Sequence, residues 1–221
     1  MSEVIEQIAV CIEKGKINKN SPYPPDMKGQ DGADEIAKNA LDNGITPSVI
    51  LEGCKLGMER IGEKFGQNKV FLPELLMAAN AMKSVMEHLK PFFQSGEVKR
   101  KGSFIIGTVS GDLHDIGKNL VAMCVEGAGY EVVDLGVDIP SEKFIRAIES
   151  KPDSFVGISA LLTTTMVNME KSVQDIKQKF PNIKILIGGA PVTQEFADTI
   201  DADGYSADPQ GAVILLEQMT A

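Results

Sequence analysis

His114 stands between two carboxylates in the stretch Gly111-Asp112-Leu113-His114-Asp115-Ile116-Gly117, which holds the residues of this chain best equipped for chemistry. A neutral imidazole oriented by a carboxylate is a ready metal ligand, because a hydrogen bond at one ring nitrogen fixes the tautomer and leaves a lone pair on the other. The stretch directly follows an unbroken apolar run, Phe104 to Val109, and precedes a helical pattern starting at Asn119-Leu120-Val121. It therefore reads as the loop between a strand and a helix. In open α/β sheets, ligands bind at the carboxyl ends of the strands. The chain has only two histidines, so one in this place carries weight.

Two further loops extend the pattern. A third apolar run leads into Ser159-Ala160-Leu161-Leu162-Thr163-Thr164-Thr165, a cluster of hydroxyls at a strand end. A fourth ends in Gly188-Gly189-Ala190, where missing side chains allow close approach of backbone to a ligand. Each has an ordinary explanation. A loop histidine is more often solvated than ligating, a Ser/Thr cluster most often caps a helix, and Gly-Gly most often makes a turn. Their coincidence at the ends of strands one, three and four, in one domain, outweighs those separate explanations. A phosphate-accepting receiver fold would need an aspartate at the end of strand three, where Ser159 stands. A dinucleotide fold would need G-x-G-x-x-G after strand one, and that spacing is absent.

The elements that must position these loops fall into two halves. Up to residue 94 the apolar spacing is helical: Val4, Ile5, Ile8 and Ile12; Ile36, Ala37, Ala40 and Leu41; Val49, Ile50, Cys54 and Met58; Leu75, Leu76, Ala79, Met82, Met86 and Leu89. This predicts a bundle of four helices over residues 1–94. The segment Asn18 to Gly32, with Pro22, Pro24 and Pro25, cannot be helical throughout. A polar, glycine-flanked stretch at 95–102 suits an interdomain connector. Residues 103–221 alternate short Ile- and Val-rich runs (Phe104–Val109, Tyr130–Val133, Phe155–Ser159, Ile183–Ile187 and a weaker Gly204–Ala207) with helix-length amphipathic stretches. The fold class expected is α/β. A helical cap would precede a doubly wound, flavodoxin-like, five-stranded parallel sheet.

Bulk properties narrow the function. With 43% hydrophobic and 24% charged residues the composition is that of a globular protein. A formal net charge of −9 argues against nucleic acid or an anionic membrane as partner. No apolar run reaches the length of a membrane span, and Glu3 and Glu6 stand where a secretion signal needs positive charge. Cys11, Cys54 and Cys124 are scattered and odd in number, which reads as reduced thiols and a cytoplasmic location.

The three loops together resemble the cobalamin-binding domain shared by methionine synthase, corrinoid methyl-carrier proteins and B12-dependent mutases. Its D-x-H-x-x-G, S-x-L and G-G hallmarks correspond to Asp112–Gly117, Ser159-Ala160-Leu161 and Gly188-Gly189. The resemblance covers the chain from residue 100 onward. It implies that His114 is the lower axial ligand of cobalt, in the base-off, His-on mode, with Asp112 accepting a hydrogen bond from its other nitrogen. It also implies a cofactor-binding set of Asp112, His114, Gly117, Ser159, Leu161, Thr163, Thr165, Gly188 and Gly189. The nucleotide tail of cobalamin would run along the two glycines and beneath Ser159. Thr165 stands where methionine synthase has a serine that completes the His-Asp relay.

The stretch Phe65-Gly66-Gln67-Asn68-Lys69-Val70-Phe71-Leu72-Pro73-Glu74-Leu75 is similar to the helical cap of the methyl-carrying branch. By that likeness Phe65 and Leu72 shield the upper face of the corrin. What the resemblance implies is a non-catalytic methyl-carrier subunit that cycles between cob(I)alamin and methylcobalamin. Its partners would be a donor-specific methyltransferase, an acceptor methyltransferase (to tetrahydrofolate or a thiol, for example) and a reductive activase. Two other readings stand beside it: a cobalamin sensor or storage module, and the cobalamin subunit of an adenosylcobalamin mutase. The cap motif speaks against the second of these.

Overall fold

The computed structural model describes residues 2–220 and divides into two compact units. The first runs to Arg100 and takes in Gly127–Gly129; the second comprises the remainder. In the first unit the helical periodicity builds α1 (Ser2–Glu13), α2 (Ala33–Asp42), α3 (Pro47–Gly66) and α4 (Leu72–Gln94). Their apolar stripes, including Ile8, Ile12, Ala37, Ile50, Cys54, Leu75, Met82 and Leu89, form the core. Gly53 and Gly57 let α3 close on α1, since a Cβ there would come within 2.9 Å of Ile8 Cβ and 2.7 Å of Ile12 Cβ. Glu35 and Glu74 accept the amide hydrogens of Gly32 and Phe71 and so cap α2 and α4.

The proline-bearing segment between α1 and α2 is mostly irregular, with a single 3-10 turn at Pro25–Met27. Beneath it Lys16 is fully buried and donates its Nζ to the Ser21 carbonyl at 3.1 Å. Residues 95–102, read from sequence as a connector, carry local contacts. Val98 is buried, its N–H donates to Phe92 O, and the Arg100 guanidinium lies 3.6 Å over the Phe93 ring.

In the second unit β1 (Ser103–Thr108), β2 (Glu131–Asp134), β3 (Ser154–Ser159), β4 (Lys184–Gly188) and β5 (Gly204–Ser206) form one sheet of order β2-β1-β3-β4-β5. Every pairing is parallel. This is the flavodoxin-like order expected. The crossovers are α5 (Ile116–Gly127), α6 (Ser141–Ser150), α7 (Met166–Lys179) and α8 (Gln194–Thr199), and α9 (Pro209–Thr220) follows β5. Ile105, Val156, Ile158, Ile185 and Ile187 pack with Phe144, Ile148, Met169, Val173 and Ala197 in one core. Their strand neighbours Phe104, Ile106 and Leu186 point to the opposite face and are buried as well. Both faces being covered explains why the strands read as continuous apolar runs rather than alternating ones.

Among the described residues no helix is long and apolar enough to cross a membrane. The three thiols are free and buried; burial pushes the Cys11 thiol up to about 11 and those of Cys54 and Cys124 up to about 12.

Candidate functional site

Because β1, β3 and β4 are adjacent and parallel, the loops after them leave the same edge of the sheet. Asp112 is the residue on which two of these loops converge. It is fully buried and accepts five hydrogen bonds. Its Oδ1 takes the His114 N–H at 3.1 Å and the ring Nδ1–H at 2.7 Å. Its Oδ2 takes the amides of Leu161 at 2.7 Å and Leu162 at 3.1 Å, and the Thr165 hydroxyl at 2.9 Å. The same hydroxyl lies 2.9 Å from Leu162 O, so one hydrogen is shared between two acceptors.

Burial alone would push the Asp112 carboxyl up. The hydrogen bonds from the His114 ring, the Leu161 and His114 amides and Thr165 outweigh it and hold the group well below the usual carboxylate range. An ionised acceptor at Nδ1 requires the ring proton to sit there, which leaves the lone pair on Nε2. The imidazole is 51% exposed, and among the described residues nothing bonds to Nε2. The backbone at His114 is fixed as well, since buried Thr108 donates its hydroxyl to His114 O at 2.9 Å.

This donor set fits a metal held mainly by something other than the protein. Among the described residues there is no cluster of three or more acidic, Cys or His side chains that could hold an ion by itself. The site offers one oriented nitrogen. Around it the same loops leave apolar side chains in solvent: Leu113 at 71% exposure, Ile116 at 59%, and Leu161 and Leu162 at just over 40%. A Cβ on Gly117 would meet nothing within 4 Å, so open space lies beside the first turn of α5. A single axial nitrogen, exposed apolar surface and open space suit a large, flat, apolar-bodied macrocycle that brings its own equatorial ligands.

The other expected residues separate into classes. Leu161 and Thr165 meet His114 through Asp112. Ser159 ends β3, and its carbonyl accepts Val109 N–H. Thr163 is exposed in the 3-10 turn that leads into α7. Gly188 and Gly189 do lie at the end of β4, but Gly189 has a reason internal to the fold. At φ +129° its missing Cβ would fall 1.8 Å from Ala160 O, so no side chain fits there whatever the ligand. Phe65, half-buried, is in the last turn of α3, and Leu72 is exposed at the start of α4; both belong to the helical unit.

Sequence reading passed over Leu113, Ile116, Leu162 and Phe71, the last 72% exposed. Their signal was available: large apolar residues in loops or at helix starts, where the periodic core does not claim them.

Known proteins resemble this chain over most of its length. Residues 102–214 match the family described as the B12 binding domain, and residues 30–90 match a second family of the same description. A trimethylamine corrinoid protein of Methanosarcina barkeri is 42% identical over 186 residues, 82% of this chain and 86% of the relative. Dimethylamine corrinoid protein 1 of Methanosarcina acetivorans is 39% identical over 85% of this chain and 88% of its own. Among solved structures, a chain of the methanol:cobalamin methyltransferase complex of Methanosarcina barkeri superposes with a TM-score of 0.78 at 28% identity. That match covers 99% of this chain and 80% of the other.

Proposed function

The chain belongs to the B12-binding corrinoid proteins, its cofactor is cobalamin, and from that premise we propose that it carries a methyl group between two methyltransferases. Bound cobalamin supplies a cobalt centre that accepts a methyl group when reduced and yields it to an acceptor. The protein supplies orientation and access. His114 Nε2 would be the protein's ligand to cobalt, with the cofactor held base-off and His-on, and Asp112 would keep the ring proton on Nδ1 so that Nε2 presents its lone pair. Thr165 and the Leu161 and Leu162 amides fix Asp112 and keep it ionised. Gly117, Ser159, Thr163, Gly188 and Gly189 would border the cofactor, and, by the likeness to the methyl-carrying branch, Phe65 and Leu72 would shield the upper face of the corrin.

The observation that carries this reading is the single free imidazole nitrogen, set by a buried five-bonded carboxylate among exposed leucines and isoleucine. The similarity to trimethylamine and dimethylamine corrinoid proteins supports a methylamine as the donor class. The partners are then a methylamine methyltransferase, an acceptor methyltransferase that delivers to a thiol or to tetrahydrofolate, and a reductive activase. The test loads the full chain with hydroxocobalamin, reduces it and adds methylamine methyltransferases with ¹⁴C-methyl substrates. Label is expected on the protein-bound corrinoid with a di- or trimethylamine enzyme. Cobalamin uptake without label from any methylated donor would instead support a sensor or store.

A further inference from the structure

We propose that Asp138, in the segment between β2 and α6, is a positioning residue that holds the loop carrying Asp112 and His114. The inference rests on His114 being the cobalt ligand. The loop is held at three neighbouring backbone atoms by residues from elsewhere. Asn168 Nδ2 in α7 donates to Ser110 O at 2.8 Å. Asp138 Oδ1 accepts the Gly111 N–H at 2.7 Å, and the Asp138 N–H donates to Asp112 O at 3.0 Å. One residue thus grips the backbone on both sides of the Gly111–Asp112 peptide, and the Ser110 hydroxyl adds a longer bond to the same Oδ1 at 3.3 Å.

To do this Asp138 takes a left-handed conformation, φ +55°, which few side chains other than Asn and Asp adopt readily. Its neighbours on either side are tied to the end of β1. Buried Ile139 bridges to Val109 and donates its N–H to Thr108 O, and Gly136 O accepts the Thr108 N–H. Thr108 in turn holds the His114 carbonyl. The segment after β2 is therefore tied to the loop at its start, at Gly111–Asp112 and, through Thr108, at His114. An exposed side chain in an uncommon backbone conformation, bonded among the described residues only to the loop that presents the imidazole, is placed to set where that imidazole points.

Three variants of the full chain test this. Asp138→Gly keeps the backbone conformation and the N–H to Asp112 but loses the acceptor. Asp138→Asn keeps the acceptor, and Asp138→Ser keeps a short polar side chain. In the cofactor-free protein, Gly111 amide exchange should quicken about tenfold in Asp138→Gly, stay within about twofold in Asp138→Asn and fall between in Asp138→Ser. In the cob(II)alamin-loaded protein, the fraction showing the imidazole nitrogen splitting should fall several-fold in Asp138→Gly and recover in Asp138→Asn. Unchanged Gly111 exchange in both Asp138→Gly and Asp138→Ser, or no recovery in Asp138→Asn, overturns the proposal. His114→Ala is the separate control: if the splitting responds to ¹⁵N-histidine in neither the unaltered chain nor that variant, the ligand assignment fails, whatever Asp138 does.

Discussion

The two edges of the parallel sheet each hold an ionised aspartate, one half-buried and one fully buried, and they do so by opposite means. At the amino-terminal edge, Asp203 precedes β5 and takes Lys177 Nζ at 2.5 Å and the Ile185 N–H at 2.9 Å on Oδ2, and Lys184 Nζ at 2.9 Å on Oδ1. Burial pushes its carboxyl up, and the two ammonium groups and the amide bring it below the ordinary range. At the carboxyl-terminal edge, Asp112 accepts only amides, a hydroxyl and an imidazole; among the described residues no Lys or Arg pairs with it. Asp203 is neutralised and staples β4 to β5. Asp112 keeps an uncompensated charge whose only chargeable partner is His114. One arrangement serves stability, while the other aims a field at a ring nitrogen.

The contrast can be broken in several ways, and the largest effect lies in the backbone of the carboxyl-terminal edge. Gly189→Ala should cost about 4 kcal/mol in urea unfolding, because its Cβ meets the Ala160 carbonyl. Gly117→Ala, whose Cβ enters open space, should change stability by less than about 1 kcal/mol and weaken only cobalamin retention. Equal losses of stability would mean that the two glycines do not divide into one serving the fold and one serving the ligand.

Next comes the aspartate pair. Asp112→Asn should cost about 3 kcal/mol, since three donors hold its Oδ2 position and the new amide must then face the histidine. It should also move the His114 ring proton from Nδ1 to Nε2, visible in ¹⁵N chemical shifts. Asp203→Asn should cost roughly 1–2 kcal/mol and leave both the tautomer and cobalamin uptake unchanged. If the two substitutions behave alike, the contrast is void.

Thr165→Val removes one donor to Asp112 and should cost about 1 kcal/mol, whereas Thr165→Ser keeps the hydroxyl and should be close to neutral. The smallest effect is acid sensitivity at the other edge. The folded pKa of Asp203 lies below its unfolded value near 3.9, so its contribution is complete above about pH 4 and is lost as pH falls through the folded pKa. Stability measured from pH 5 downward should therefore decline less steeply in Asp203→Asn. Parallel declines would show that the lysines contribute nothing through that carboxyl.

Much of this architecture was legible in the residues. The Ile- and Val-rich runs gave all five strands, and their spacing gave the order that brings Asp112, Thr165 and Gly189 to one edge. The Asp112–His114 pair was implied by the resemblance of the D-x-H-x-x-G loop to the cobalamin-binding domain; the residues alone show only a histidine between two carboxylates, Asp112 and Asp115. What stayed hidden was backbone chemistry. The Leu161 and Leu162 amides carry no mark in a sequence, yet they supply two of the five bonds to Asp112. Gly189 looked like a floor for a ligand, but the Ala160 carbonyl demands it first. Asp138 gave only a faint signal, an aspartate closely following Gly136 after a strand, because its role depends on a left-handed φ fixed by distant pairing. The stretch at 95–102 reads by composition as an interdomain connector, and composition could not show that Arg100 stacks on Phe93.

The ligand assignment is tested most directly by paramagnetic resonance of the full chain loaded with cob(II)alamin, prepared with ¹⁴N- and with ¹⁵N-histidine. If Nε2 of His114 has displaced the cofactor's own base, the nitrogen splitting changes with the isotope, and that change is lost in His114→Ala. A splitting indifferent to histidine labelling would show the cofactor's benzimidazole still on cobalt, and would contradict His114 as the axial ligand and Asp112 as the group that orients it.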